Sequence, residues 1–151
     1  MSIQFNAYAD VALIGHAWWE FNVEDSELSS LPNDLQQYVN CEMGFYPDSR
    51  VDLIHRETDG SVEYEQHMRE HDIDISKSWD ISFDDLISSL EYVDSIYNDA
   101  PDYNLFHNNC TDQLYEVADA ANLDIEVAEQ IDILGAPWSF IISHPSELNI
   151  C

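Results

Sequence analysis

The sequence predicts an α+β fold, an antiparallel sheet with helices packed on it. Apolar residues alternate with a period of two in the first half of the chain and recur at helical spacing in the second. The two regimes do not interleave, which argues against alternating strand–helix units. With 151 residues, 45% of them hydrophobic, the chain reads as one domain, 1–151, with a sizeable core.

The elements follow in order. Residues 7–23 alternate: Val11, Leu13, Gly15, Ala17, Trp19, Phe21 and Val23 share one face, and Ile14, His16, Trp18 and Glu20 the other. This predicts one strand, bent at Gly15 and covered on both faces. Residues 24–40 are polar and turn-rich, a loop with one helical turn. Residues 42–46 form a short strand closed by Pro47. A hairpin is then expected, with 51–57 and 62–66 flanking Thr58-Asp59-Gly60-Ser61, because Asp-Gly favours tight turns. Residues 73–75 add a strand. Ser82 with Asp85 three residues on is an acidic variant of the capping box. Phe83, Leu86, Ile87, Leu90, Val93, Ile96 and Tyr97 follow at helical spacing. A second helix is predicted from Asn109, with Asp112 at its third position and Asn122 as its stop. A third spans 124–134, ended by Gly135 and Pro137.

Charge excludes several functions. Thirty-one acids face four bases, a net charge of −27. Such a chain repels nucleic acid and anionic membrane surfaces. Three readings of the acidity stand: adaptation to high salt, a basic partner or substrate, and a DNA-mimic inhibitor. The acids are spread along the chain, which favours a general surface property. The first residues lack a basic and an apolar signal region, and no stretch is long enough to span a membrane. The expectation is cytoplasmic synthesis, with any export by a signal-independent system.

Cys110 is the centre of the chemical argument. With Asn109 as cap it is the first residue of a helix, beside unpaired backbone N–H groups and the positive dipole end. Both favour the thiolate. His16, on a strand, supplies a general base. The amides near Cys110 could also hold an oxyanion. Three cysteines, Cys41, Cys110 and Cys151, are an odd number, so at least one free thiol is expected.

Gly15-His16-Ala17-Trp18, then Gly44-Phe45-Tyr46-Pro47, then Tyr103-Asn104-Leu105 running into Asn108-Asn109-Cys110-Thr111-Asp112 resemble the circularly permuted NlpC/P60 branch of the papain-like cysteine enzymes. The likeness spans roughly residues 7–123. It implies a permuted papain-like fold in which Cys110 is the nucleophile and His16 the base. It implies hydrolysis of an amide bond in a peptide or peptidoglycan stem, with no metal or organic cofactor. It is similar to antibacterial hydrolases delivered by type VI secretion. A third polar residue should orient His16, and Glu20, Glu42 and His55 are the candidates. Glu20 is four strand residues away, about 13 Å.

Other readings compete. A thiol acyltransferase would use the same chemistry. A catalytically silent acidic binding or inhibitor protein, with a basic protein partner, would use the charge. His67-Met68-Arg69-Glu70-His71 matches H-x-x-E-H, an inverted zinc-peptidase motif, but no amphipathic helix of normal length surrounds it. His107 and His144 read as loop and turn residues. Trp18, on the His16 face, is a better cleft candidate than Trp19.

Overall fold

The computed structural model describes residues 2–10, 16–48, 57–68, 70, 72–104 and 107–124. The chain is α+β. Strands β1 (Ile3–Asp10), β2 (His16–Val23), β3 (Glu42–Pro47), β5 (Gly60–Tyr64) and β6 (Ile75–Asp80) form one antiparallel sheet in the order β5-β3-β2-β1-β6. A short helix α1 (Asp25–Leu28) follows β2, and two longer ones, α2 (Phe83–Asn98) and α3 (Cys110–Ala120), follow the sheet. A small pair joins β4 (Glu57–Thr58) to β7 (Tyr103–Asn104). No helix among the described residues is long and apolar enough to cross a membrane. The helix expected over 124–134 lies almost wholly outside the described residues.

Two expectations are corrected. Residues 7–23 are not one bent strand: β1 ends at Asp10, β2 starts at His16, and the two pair antiparallel from Ile3↔Val23 to Asp10↔His16. The core-facing residues of both strands are odd-numbered, so the alternation keeps its parity and hides the reversal. The expected hairpin also differs where it is described; of its first strand, 51–57, only Glu57 lies among the described residues. Glu57 and Thr58 pair with Asn104 and Tyr103, while β5 pairs with β3, Pro47 opposite Gly60. Gly60 is a strand residue. A side chain there would strike the Phe45 ring and the Pro101 carbonyl, so close approach, not a tight turn, explains it.

The pleat sorts the sheet into two faces. Phe5, Ala7, Ala17, Trp19, Phe21, Met43, Phe45 and Val62 bury one face in the main core with Leu86, Leu90 and Val93 of α2 and Leu114 and Val117 of α3. The other face carries a ladder of polar contacts. Ser78 Oγ donates to Asn6 Oδ1 at 2.5 Å, Tyr8 donates to Glu20 at 2.6 Å, and Trp18 Nε1 donates to Glu42 at 2.9 Å. Both helix starts were readable: the Ser82 hydroxyl accepts from the Asp85 amide at 3.1 Å, and α3 begins right after Asn109.

Candidate active site

His16 opens β2, and its ring lies on the polar face, 2% exposed. Trp18 stacks on it, ring centroids 5.2 Å apart and 14° from parallel. Tyr46 of β3 packs against it at 4.6 Å. Its Nε2 lies 2.6 Å from Glu65 Oε1. The second oxygen of Glu65 accepts from the Tyr46 hydroxyl at 2.5 Å. A carboxylate only accepts, so the proton in the first bond sits on Nε2; in a neutral ring the lone pair is then on Nδ1. That nitrogen is buried. The result is an imidazole oriented by Glu65, Trp18 and Tyr46.

Gly44 makes the pairing possible. It sits opposite Trp18 on one side and Glu63 on the other. A Cβ there would overlap Glu65 Oε1 and stand 2.9 Å from His16 Nε2.

The two acids considered as orienters and included in the described residues serve other groups. Glu20 accepts from Tyr8 and, at 3.5 Å, from Asn6. Glu42 accepts from Trp18. His55 lies outside the described residues. Glu65 was missed because the hairpin reading paired 62–66 with 51–57. In the structure β5 runs beside β3, and Glu65 starts a single 3₁₀ turn, Glu65–His67, just beyond it. The available signal was Gly44 within a strand, which marks a close approach.

Cys110 is the first residue of α3, and 4% exposed. The capping box is complete. Asn109 Oδ1 accepts from the Thr111 and Asp112 amides at 3.0 and 3.1 Å, and Asp112 accepts from the Asn109 amide at 3.1 Å. The Cys110 amide donates to the Tyr103 hydroxyl. Tyr103 is fully buried and stacks on Phe45 at 5.2 Å. The first-turn amides expected to hold an oxyanion are therefore already bound. Burial pushes the Asp112 carboxyl above its ordinary value, partly offset by the bond from Asn109.

The state of the sulfur also differs from expectation. Cys110 is disulfide-bonded, and its partner lies outside the described residues; Cys41 is a free thiol. Burial pushes the Cys41 thiol up to about 11, with the charge of Glu20 adding to the effect. Helix α3 packs on β2 and β3. The Cys110 side chain belongs to the main core with Ala9 and Ala17, whereas the His16 ring lies with Trp18, Tyr46 and Glu65.

Trp18 lines a cleft of about 690 Å³ with Glu20, Glu42, Glu65 and Tyr64, and its carboxylates disfavour an anionic substrate group. His67 ends a one-turn 3₁₀ segment, too short for the zinc-peptidase motif, and His71 lies outside the described residues. His107 is an exposed turn residue. No protein-family model, curated protein or solved structure matches the chain.

Proposed function

We propose that the chain is a thiol hydrolase of the permuted papain-like, NlpC/P60 kind, cleaving an amide bond in a peptide or peptidoglycan stem. Cys110 is its nucleophile, His16 its base and Glu65 the residue that orients His16. The observation that carries the reading is the bond from His16 Nε2 to Glu65, a carboxylate that orients the imidazole. The start of α3 supports it, since a sulfur at the positive end of a helix favours the thiolate.

In this reading Nδ1 takes the thiol proton and the Cys110 thiolate attacks the carbonyl carbon. The tetrahedral intermediate collapses to a thioester as His16 returns the proton to the leaving amine. Water, deprotonated by the same nitrogen, then releases the acid and restores the thiol. The active form is the reduced one, because a sulfur in a disulfide has no proton to give. The reading requires the Cys110 sulfur and the His16 imidazole to come within reach of one another across β2, on which α3 packs. The carbonyl oxygen draws on donors other than the first-turn amides, which Asn109 and Tyr103 occupy. Delivery as an antibacterial effector by a signal-independent secretion system belongs to the same proposal and rests on the resemblance.

A second reading is a silent acidic binding protein. The disulfide at Cys110, the occupied amides and the net charge of −27 favour it. Incubating reduced wild type, Cys110→Ala and His16→Ala with purified peptidoglycan and with a peptide mixture, at low and high salt, separates the two. The hydrolase releases fragments only as wild type and only after reduction. Release by all three proteins, or by none, refutes the thiol mechanism.

A further inference from the structure

A groove of about 600 Å³ lies on the other side of the molecule's chemistry, among Ile3 of β1, Ile81 after β6, Phe83 opening α2, and Ser26, Glu27 and Ser30 in and after α1. Its walls are apolar, and the two serines are exposed on its rim. Glu27 is 3% exposed. One of its oxygens accepts from the Ser26 hydroxyl at 2.6 Å. The other, Oε1, is buried and has no hydrogen-bond partner among the described residues.

Among the described residues it is the one buried carboxylate oxygen without a hydrogen-bond partner. Glu20, Glu42 and Glu65 all accept bonds from donors in the polar ladder or beside it. A buried carboxylate oxygen without a donor costs several kcal/mol in general, and native proteins seldom leave one unmatched.

We propose that this groove binds a basic side chain, arginine or lysine, presented by a partner protein. An ionised N–H is the donor that best matches a desolvated carboxylate. The aliphatic stem of a basic residue suits walls of isoleucine and phenylalanine. No described residue supplies that donor to Oε1, and the proposal assigns it to a partner. The site is independent of Cys110 and His16, and the inference holds whichever functional reading is right.

The test is an NMR titration of the full chain with N-acetyl-arginine amide, and with N-acetyl-citrulline amide as its neutral isostere. The expected result is saturable shifts at Ile3, Ile81 and Phe83 with the arginine probe and binding at least about fivefold weaker with citrulline. Glu27→Gln lowers arginine affinity by a similar factor, and Phe83→Ala, which leaves the carboxylate in place, weakens it as well. If Glu27→Gln does not fold, the Phe83→Ala and citrulline arms decide. Equal response to both probes, shifts spread evenly over the other acidic faces, or affinity unchanged in the folded variants would each overturn the proposal.

Discussion

Replacing Gly44 with alanine tests the geometry on which the candidate site rests. The added methyl overlaps Glu65 Oε1 and comes within 2.9 Å of His16 Nε2 and 3.1 Å of Cε1. Glu65 ends a flexible side chain and would ordinarily step aside. Here its oxygens are held by His16 and Tyr46, so moving it breaks a charge-assisted bond. Such a bond contributes about 1.5–3 kcal/mol, and residual overpacking costs a further ~1 kcal/mol or more. A total of about 2–4 kcal/mol follows. With a urea slope near ~2 kcal/mol/M, the unfolding midpoint falls by about 1–2 M.

The double variant isolates the cause. Glu65→Ala removes the overlapping oxygen, while the His16 ring still faces the new methyl. Gly44→Ala should therefore cost about half as much in that background, a coupling readable from four urea curves. A midpoint for Gly44→Ala within ~0.2 M of wild type, below the loss that a broken charged bond implies, refutes the reasoning. So does an equal cost in both backgrounds.

Further outcomes follow from the same contacts. Tyr46→Phe leaves Glu65 Oε2 without its donor and lowers stability by about 1.5–3 kcal/mol by thermal or urea unfolding; no change would mean that the hydroxyl does not hold the carboxylate. Asn109→Ala removes both acceptor contacts to the first turn of α3 and costs about 1 kcal/mol, with helix signal lost early in thermal melts. Iodoacetamide should leave Cys110 unlabelled until a thiol reductant is added. Labelling of Cys41 should rise about tenfold per pH unit from 7 towards its pKa of about 11, since only the thiolate reacts; peptide mass mapping that finds Cys41 fully reactive at neutral pH would contradict its burial.

The parts of the fold that were legible are those where one local signal decides. Ser82 and Asn109 cap α2 and α3 because their short side chains reach the amides of the first turn, a requirement written within four residues. Trp19, Phe21 and Val23 fall in the core because period two fixes the face. Strand partners were not legible in the same way. Nothing local tells β5 to pair with β3, and the parity shared by β1 and β2 conceals the reversal between them. The orienting acid depends on that pairing. Glu65 approaches His16, 49 positions away, only because β3 lies between β2 and β5 and carries glycine at the crossing point.

The pattern of donors on the polar face carries a consequence for the extreme acidity. The whole chain has four lysines and arginines, and among the described residues several buried and half-buried acids are held by neutral groups: Glu20 by Tyr8, Glu42 by Trp18, Asp94 by Tyr38, and one oxygen of Glu65 by Tyr46. Salt weakens attraction between exposed opposite charges, but a tyrosine–carboxylate bond offers it little to screen. The His16–Glu65 pair is buried, with side-chain exposures of 0% and 9%, and is shielded from ions. Mutual repulsion among the exposed acids, in contrast, is screened as the Debye length shrinks from about 10 Å at 0.1 M to about 3 Å at 1 M. Added sodium chloride should therefore raise the thermal midpoint continuously over that range. A chain stabilised by surface ion pairs would lose stability in the same titration, and a falling midpoint would mean that attractions between exposed charges, not neutral donors, hold this face together.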